Sequence, residues 1–442
     1  MSLPLIFHSN GNEAFAYYEG RVVSAKQYIE DVYSLAAALP AGDHVLNLCS
    51  NRYRFLVGFG ASILRGAKSL LPTVASSEVL AQLRIFAPDF FVISDHEHSP
   101  NLQTYIDPIK HIGRIKRDFL VPQIPKEQIV SYVFTSGSTG TPVAHVKQWG
   151  PLAENVQTAI FRLKIAPGAS VVGTTPSQHM YGFESNILLC MLGKGVLCED
   201  KPFFPADIAQ SLSTAPAPRI LVTTPYHLEK LLDSEVDLPE IERIICATAP
   251  LTQSLASRAE SLLRTELSEI FGSTETGQIA IRRTSQTDEW ALLDKVSITN
   301  RDQSFFIVGA HLPEPVMLTD TIEITGKHTF KLLGRNKDMV NIAGKRTSIG
   351  YLNSILKQIM GIRDGLFFVP SCSSPLQQRL ALVYVSEAIS ESSLKTELRR
   401  FIDPVFLPRP ILKVVEIPRN PTGKVLQKEL DLLVRLKKRH GS

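Results

Sequence analysis

The chain has 442 residues, which is long for a single hydrophobic core and therefore predicts two or more domains. A hydrophobic fraction of 44% and a charged fraction of 20% are typical of a globular protein, and a net charge of +4 is too small to indicate a nucleic-acid binder. No apolar run reaches the ~18 residues that span a bilayer, and the first residues show no secretory signal. We therefore expect a cytoplasmic protein without a transmembrane segment.

The five cysteines are scattered and lie mostly in apolar surroundings: Cys49, Cys190, Cys198, Cys246 and Cys372. An odd number without regular spacing is not the pattern of a disulfide set or of a metal site. They are therefore interpreted as reduced core residues, as in proteins of reducing compartments.

The chain alternates helical patterns with short apolar runs. This alternation is clear at residues 22–95 and predicts a doubly wound or layered α/β body. The polar residues 335–338 separate two predicted strands, and we expect the domain boundary there. The predicted domains are therefore residues 1–334 and a smaller α/β unit at 335–442.

A run of hydroxyl and glycine residues follows the apolar strand pattern at 129–134. Glycines let a backbone turn tightly with its N–H groups facing one concavity, and the hydroxyls add donors, so the segment suits a polyphosphate. The common P-loop is excluded because no Gly-Lys-Ser/Thr follows at the required spacing. A Ser/Gly-rich surface turn is the alternative interpretation. The residues of the loop are Thr135, Ser136, Gly137, Ser138, Thr139 and Gly140.

A second polar segment lies where a predicted strand ends and a helix begins, a junction at which α/β proteins bind ligands. It contains His179, Tyr181 and Gly182. His179 taken alone has two interpretations: it borders a ligand, or it caps the helix or is hydrogen-bonded in the core.

Two further loops follow predicted strands. The first contains Ala249 and Pro250, and the second contains Phe271, Thr274 and Glu275. A carboxylate in a Gly/Thr loop is a hard oxygen ligand that can hold Mg²⁺ against nucleotide phosphates. The ring of Phe271 offers a flat face to a purine, and the hydroxyl of Thr274 can bind a phosphate. A surface loop is the alternative interpretation of the second loop alone.

Two charged residues nearer the C-terminus stand in turns. Lys424 lies among proline and glycine residues that hold its side chain on an exposed turn. Asp320 follows a proline-rich turn. The ordinary interpretation of either residue in isolation is a solvated surface charge.

The order of these segments resembles that of the adenylate-forming superfamily, which includes acyl-CoA synthetases, peptide-synthetase adenylation domains and luciferases. The resemblance extends over most of the chain. It implies a large layered α/β N-terminal domain and a small mobile α+β C-terminal domain, with Lys337 as the hinge. It also implies catalytic roles for His179, Glu275 and Lys424.

The resemblance implies a binding role for each remaining polar segment. The loop at 135–140 would hold the phosphates of ATP, and Glu275 would hold Mg²⁺. His179, Tyr181 and Gly182 would border the carboxylate substrate. The other nucleotide contacts would be Ala249, Pro250, Phe271, Gly272, Thr274, Asp320 and Arg335.

One departure from the superfamily pattern concerns charge. The family usually has a lysine directly after the proline that ends the phosphate loop, and this chain has Val143 there. We expect Lys147 or His145 to supply the missing positive charge.

The reaction implied by the resemblance has two steps. A carboxylate and ATP form an acyl-adenylate and pyrophosphate, and a thiol of CoA or phosphopantetheine then takes the acyl group. Segments at 141–149, 178–185 and 201–207 resemble AMP-ligases of bacterial aryl-polyene and xanthomonadin pigment clusters. This narrower resemblance predicts an aromatic acid, such as a hydroxybenzoate, and an acyl carrier protein as acceptor. Apolar Met180 fits an aryl pocket, and the basic residues 435–440 suit an acidic carrier protein.

Two alternatives remain at this point. One is an acyl- or aryl-CoA ligase that uses free CoA, and the other is a non-catalytic relative that binds an acyl group or a nucleotide. The missing lysine at Val143 is compatible with the second alternative. Retention of Glu275, Asp320, Arg335 and Lys424 argues against it.

Overall fold

The computed structural model divides the chain into two compact units, Met1–Met317 and Leu318–Ser442. The two units are defined by contacts and not by a hinge. The domain boundary predicted after residue 334 therefore stays a prediction. The described residues are 1–72, 75–96, 105–136, 142–301, 304–335, 339–342, 345–371, 379–420 and 423–440. Only the backbone is described at residues 78, 136, 142, 334, 335, 339, 341, 345, 346, 348, 354 and 438–440.

The helices of the first unit begin mostly at polar caps. Ser24 and Gln27 form a capping box at the first helix, and Thr224 and Thr252 cap two later ones. The helices are α1 (Ala25–Ala38), α2 (Arg52–Leu64), α3 (Ser77–Phe86), α4 (Trp149–Arg162), α5 (Met180–Gly182), α6 (Leu189–Gly193), α7 (Pro205–Thr214), α8 (Pro225–Asp233) and α9 (Gln253–Leu263). A π-helical turn, Phe183–Leu188, joins α5 to α6, and Pro108–Lys110 forms a 3₁₀ turn.

The strands of the first unit are short and mostly apolar. They are β1 (Ser2–Pro4), β2 (Ala14–Tyr18), β3 (Arg21–Ser24), β4 (His44–Asn47), β5 (Lys68–Leu71), β6 (Phe91–Ile93), β7 (Tyr105–Ile106), β8 (Gln123–Pro125), β9 (Ile129–Ser136), β10 (Pro142–Gln148), β11 (Ser170–Gly173), β12 (Val196–Cys198), β13 (Arg219–Thr223), β14 (Arg243–Cys246), β15 (Glu266–Ser273), β16 (Gly277–Arg282), β17 (Glu289–Leu292), β18 (Val296–Arg301), β19 (Ser304–Gly309) and β20 (Val316–Met317).

Two sheets organise these strands. In the first sheet, the strands of this unit run in the order β17-β16-β15-β14-β13-β11-β12-β2-β3, with parallel pairing from β15 to β2. In the second sheet the order is β10-β9-β5-β4-β6-β7, and only β10 pairs antiparallel, with β9. The parallel strands are buried because helices cover both faces, which explains their continuous apolar runs. Strands β1 and β8 pair apart from both sheets, as do β18, β19 and β20.

The second unit combines hairpins with α-helices and a 3₁₀ turn, Pro404–Phe406. Its strands are β21 (Asp320–Ile324), β22 (Thr329–Arg335), β23 (Met339–Ile342), β24 (Lys345–Ser348), β25 (Asp364–Phe368), β26 (Ala381–Val385) and β27 (Ile411–Lys413). Its helices are α10 (Ile349–Gln358), α11 (Glu391–Phe401) and α12 (Gln427–His440). Strands β25, β26 and β27 form one sheet, whose buried residues pack with those of α10 and α11.

Two observations bear on the composition-based predictions. Within the described ranges, no helix has the length and apolarity needed to cross a membrane. Cys49, Cys190, Cys198 and Cys246 are buried and free of disulfide bonds, whereas Cys372 lies outside the described residues.

Candidate active site

The carboxyl ends of the parallel strands in the first sheet carry the polar segments predicted from sequence. Strands β11, β13 and β14 end at neighbouring positions, because their pairing aligns Gly173 with Val222 and Thr223 with Cys246. The loops that follow these strands therefore leave the sheet at one edge, where open α/β sheets bind ligands.

His179 caps helix α5. Its Nδ1 accepts a hydrogen bond from the backbone N–H of Tyr181 at 3.3 Å, so the neutral ring carries its proton on Nε2. The structure thus shows the capping arrangement that sequence left open. Contact with a carboxylate substrate stays a prediction.

Tyr181 and Gly182 are tied to the backbone around them. The hydroxyl of buried Tyr181 lies 3.1 Å from the carbonyl oxygen of Thr223 and 2.9 Å from that of Ile245, so it links the ends of β13 and β14. The ring, rather than the hydroxyl, is therefore what Tyr181 can offer a ligand. A Cβ at Gly182 would lie 2.1 Å from the carbonyl oxygen of Pro176, so close backbone packing alone requires glycine there.

The loop with Ala249 and Pro250 is strained at Thr248. That residue has a φ of +85°, which is unusual for a β-branched side chain and costs roughly 1–3 kcal/mol. Its buried hydroxyl has no hydrogen-bond partner in the described part of the chain. Ala249 is half-buried and Pro250 is exposed. Backbone strain of this kind is concentrated at functional sites, which favours a binding role for the loop.

A buried carboxylate that sequence reasoning missed holds this loop in place. Glu269 accepts hydrogen bonds from the N–H of Leu251 at 3.2 Å, from Arg282 at 2.7 Å and from the hydroxyl of Thr284 at 2.6 Å. Burial raises the pKa of Glu269, while Arg282 and the hydrogen bonds act in the opposite direction. No local sequence pattern indicates the contact between Glu269 and Leu251, because the two residues lie on different strand–helix units.

The hairpin between β15 and β16, residues 271–277, carries Thr274 and Glu275 and is named here the acidic hairpin. The half-buried ring of Phe271 packs at 5.3 Å, between ring centroids, from Trp290. A Cβ at Gly272 would lie 2.1 Å from the carbonyl oxygen of Gly277, so the two hairpin arms approach too closely for any side chain. Hydrogen bonds between Ser273 and Thr276 close the turn.

The acidic hairpin meets strands β9 and β10. The Nε2 of His145 lies 3.0 Å from the hydroxyl of Thr135 and 3.6 Å from a carboxylate oxygen of Glu275. The Nζ of Lys147 donates to the carbonyl oxygen of Thr274 at 2.5 Å. Val143, His145 and Lys147 share one face of β10, since side chains alternate along a strand. The structure therefore brings Thr135, Thr274 and Glu275 together with both candidates for the missing charge.

The pKa shifts of His145 and Lys147 distinguish these two candidates for the missing positive charge. Burial lowers the pKa of His145 despite the nearby charge of Glu275, so the ring is neutral near pH 7. Burial also lowers the pKa of Lys147, and the carboxylates of Glu184 and Glu275 counteract that effect. For Glu275 burial acts to raise the pKa, but hydrogen bonds from its own N–H and Ser273, with His145 and Lys147 nearby, lower it overall.

The fit to Mg²⁺ rests on Glu275 alone. Across the described residues, no cluster of three or more His, Cys, Asp or Glu side chains is arranged to hold a metal ion. Mg²⁺ needs no such cluster when phosphates and water complete its coordination, and one ionised, partly exposed carboxylate suits it. Glu275 meets that requirement, with its side chain 43% exposed.

Gly137, Ser138, Thr139, Gly140 and Lys337 lie outside the described residues. Only the backbone of Ser136 and Arg335 is described.

Within the second unit, two of the predicted nucleotide contacts lie on paired strands. Asp320 and Arg335 are register partners in the backbone pairing of the β21–β22 hairpin. The structure thereby brings together two residues that are distant in sequence.

Lys424 is exposed in a turn that is stabilised by hydrogen bonds from neighbouring residues. Asn420 closes the turn: its N–H donates to the carbonyl oxygen of Lys424 at 2.8 Å, and its side-chain oxygen accepts from the N–H of Lys424 at 2.9 Å. Arg419 donates to the carbonyl oxygen of Gly423 and forms two bonds of 2.8 and 2.7 Å to Asp364 on β25. Sequence reasoning missed Asp364 and Arg419 as supports for this turn.

Comparison with known proteins defines the class. A model of the AMP-binding enzyme family matches residues 8–317, and the chain therefore belongs to that family. It is an AMP-forming, ATP-dependent ligase, which confirms the sequence-based prediction of an enzyme.

The similar proteins include ligases for acids and thiols. The chain is 27% identical over 361 residues to a 4-coumarate–CoA ligase of Rhodobacter capsulatus, covering 77% of this chain and 88% of that protein. It is 19% identical over 310 residues to a 3,4-dihydroxybenzoate–(aryl-carrier protein) ligase of Bacillus anthracis, covering 68% of this chain and 73% of that protein.

The similar structures confirm the predicted fold class. The chain matches O-succinylbenzoate coenzyme A synthetase from Bacillus subtilis in complex with AMP with a TM-score of 0.82 and 17% identity, covering 97% of this chain and 98% of that chain. The same synthetase in complex with ATP and a magnesium ion matches with a TM-score of 0.79 and 17% identity, covering 95% and 96% of the two chains.

Proposed function

We propose that this ligase activates an aromatic carboxylic acid, such as a hydroxybenzoate, and passes the acyl group to the phosphopantetheine thiol of an acyl carrier protein. The observation that carries the activation step is the convergence of Thr135, Lys147 and Glu275 beside the predicted phosphate loop. The resemblance to pigment-cluster ligases supports the choice of acid and acceptor. The relatives that act on 4-coumarate and 3,4-dihydroxybenzoate add support for an aryl acid.

The first step joins two anions. An oxygen of the carboxylate forms a bond to the α-phosphorus of ATP, while the bond from that phosphorus to pyrophosphate breaks and pyrophosphate leaves with the electron pair. Positioning and charge neutralisation are therefore the main tasks of the protein. Lys424 would stabilise the charge that develops at the α-phosphate. When bound, Mg²⁺ supplies further neutralisation of the phosphates, and Glu275 would hold it.

Lys147 would supply the positive charge that is absent at Val143. His145 is the weaker candidate because its ring is neutral near pH 7, whereas the ammonium group of Lys147 faces the acidic hairpin directly. His145 would instead hold the hydroxyl of Thr135 in place.

Substrate-dependent exchange of pyrophosphate into ATP tests the activation step. The wild-type enzyme is to be assayed with hydroxybenzoates, cinnamates, short fatty acids and dicarboxylic acids at saturating MgATP. We expect exchange with aryl acids to exceed exchange with the aliphatic acids by at least ~10-fold, because apolar Met180 beside His179 fits an aryl ring. Exchange with none of the acids would refute the proposal, and exchange only with aliphatic acids would refute the aryl assignment.

The acceptor is tested by competition between CoA and a phosphopantetheinylated carrier protein. Carrier proteins are usually acidic, and the exposed Arg399 and Arg435 give the second unit basic character. Two other basic residues are paired, since Arg400 contacts Glu397 and Lys437 contacts Glu391. We expect faster transfer to the carrier protein, with a rate that falls as salt is raised because surface charges are screened. Faster transfer to CoA, with a salt-independent carrier reaction, would identify an aryl-CoA ligase instead.

A further inference from the structure

Arg52 is a buried arginine to which the proposed reaction assigns no role. It is the first residue of α2, and 1% of its surface is exposed. Burial lowers the pKa of its guanidinium to about 10, so the group still carries its positive charge near pH 7. None of its nitrogens is hydrogen-bonded to a carboxylate among the described residues, and Nε and Nη1 have no hydrogen-bond partner there. A buried charge without a paired carboxylate is costly, so its presence here requires a reason.

The third nitrogen of Arg52, Nη2, binds the chain where it leaves β11. It donates to the carbonyl oxygen of Gly173 at 2.7 Å and to that of Thr175 at 2.8 Å. Gly173 ends β11, and the N–H of the next residue, Thr174, donates to the carbonyl oxygen of Val222 on β13 at 2.9 Å. Hydrogen bonds from a charged donor are stronger than those from a neutral one. Arg52 therefore fixes the direction in which the chain leaves the sheet.

A second bridge joins the same segment to the same part of the fold. The Nε2 of Gln178 donates to the carbonyl oxygens of Asn47 and Cys49, each at 3.3 Å. These two carbonyls stand at the end of β4 and in the connection to α2. The junction between β4 and α2 therefore holds both ends of the segment 173–178, and His179 follows this segment directly.

We propose that Arg52 is a positioning residue for the acid site: from the second sheet, its guanidinium holds the segment 173–178 and thereby sets the place of His179. The inference rests on the proposed function, in which the segment around His179 borders the carboxylate substrate. A fixed anchor has a purpose here, because a small misplacement of a reacting group costs much of the rate. The described hydrogen bonds of Arg52 do not reach the acidic hairpin or the loop of Ala249. Loss of the anchor is therefore expected to affect the acid more than ATP.

The two Michaelis constants of the pyrophosphate exchange reaction test the proposal. The full chain is assayed with varied 4-hydroxybenzoate at saturating MgATP and with varied MgATP at saturating acid. We expect Arg52→Met to raise the constant for the acid by at least ~10-fold and the constant for ATP by less than ~2-fold. Arg52→Lys keeps the charge on a shorter side chain and is expected to raise the constant for the acid by only ~3-fold.

A milder variant and a matched control accompany this experiment. Gln178→Ala removes the second bridge from a half-buried position, and it tests the anchor even if Arg52→Met does not fold. We expect it to raise the constant for the acid by ~3-fold and to leave that for ATP unchanged. The control is Ser170→Ala, because the hydroxyl of Ser170 donates to the carbonyl oxygen of Pro216 at 2.6 Å from the opposite end of β11. This variant loses a hydrogen bond of the same kind and is expected to keep both constants.

A residue that only supports the fold would change the amount of active enzyme. A lower maximal rate with both constants unchanged would therefore overturn the proposal, as would an equal rise of the two constants. An unchanged constant for the acid in both Arg52→Lys and Gln178→Ala would overturn it as well.

The wild-type assay separates failure of this inference from failure of the proposed function. Wild-type protein that exchanges pyrophosphate with none of the acids tested would refute the proposed function and this inference with it. Exchange with aliphatic acids alone would refute the aryl assignment, and the constants of the variants are then compared with octanoate as the acid. Exchange by the wild type together with equal constants in all variants would refute the role of Arg52 alone.

Discussion

Lys424→Ala is expected to slow acyl-adenylate formation by at least ~100-fold, which corresponds to ~3 kcal/mol of lost transition-state stabilisation. Transfer of the acyl group from preformed acyl-AMP to the thiol is expected to stay close to the wild-type rate. The reason is that a carboxylate approaches a polyphosphate only in the first step, and a positive side chain is needed where charge develops. Pyrophosphate exchange measures the first step, and consumption of synthetic acyl-AMP by the thiol measures the second.

The control for this experiment is another lysine of the same unit. Lys428 is exposed at the start of α12, four residues beyond Lys424, and Lys428→Ala removes an equal charge without touching the turn. We expect this variant to retain both half-reactions. An equal loss of both half-reactions in Lys424→Ala would contradict a role confined to adenylate formation.

The turn around Lys424 illustrates what sequence could and could not predict. Proline and glycine near the lysine indicated an exposed turn, and the structure places the side chain in one. Sequence did not predict that one guanidinium nitrogen of Arg419 donates to both carboxylate oxygens of Asp364, because the two residues are 55 positions apart. A turn can be predicted from residues that are close in sequence. The partner of a long side chain depends instead on which strands become neighbours in the fold.

The position of the polar segments at the ends of strands in the first sheet was also predictable from local sequence patterns. Apolar runs followed by helical patterns indicated parallel strands, and the carboxyl ends of such strands must meet at one edge. Sequence predicted only that the segments around His179 and Ala249 each follow a strand, and the structure shows that β11 and β14 end at the same edge of the sheet. Sequence did not predict that the hydroxyl of Tyr181 would be used by two backbone carbonyls, because that depends on the spacing between β13 and β14.

The buried charges were the least predictable part of the site. Glu184 stands in an apolar helical stretch, where a single acidic residue has no pattern of its own. Glu269 lies within a predicted strand, and nothing local connects it to Leu251. Burial of a carboxylate is tolerated only when distant residues supply charge or hydrogen bonds, and those residues are brought together by the tertiary fold.

Gly272→Ala is expected to destabilise the first unit by ~3 kcal/mol, the upper end for overpacking a tight site, and to abolish detectable MgATP binding. The added Cβ would lie 2.1 Å from the carbonyl oxygen of Gly277, a backbone atom that cannot rotate away. The hairpin arms must separate to admit it, which displaces Thr274 and Glu275 from β10 and Phe271 from Trp290. Sequence had assigned Gly272 to the nucleotide by resemblance, and the structure adds this steric reason.

The unfolding of the first unit can be followed by tryptophan fluorescence. The chain has 2 tryptophans, and both Trp149 and Trp290 lie in the first unit, so denaturant unfolding followed by their fluorescence reports on that unit alone. Gly66→Ala is the matched control: Gly66 has a φ of +71°, and a Cβ there would have no neighbouring atom within 4 Å, so alanine is strained but meets nothing. We expect that variant to lose about 1 kcal/mol and to keep wild-type MgATP affinity. Equal unfolding curves for the two variants would show that the hairpin arms separate without a cost in stability. Retained MgATP binding in Gly272→Ala would show that the close approach of the two arms does not hold Glu275 in place.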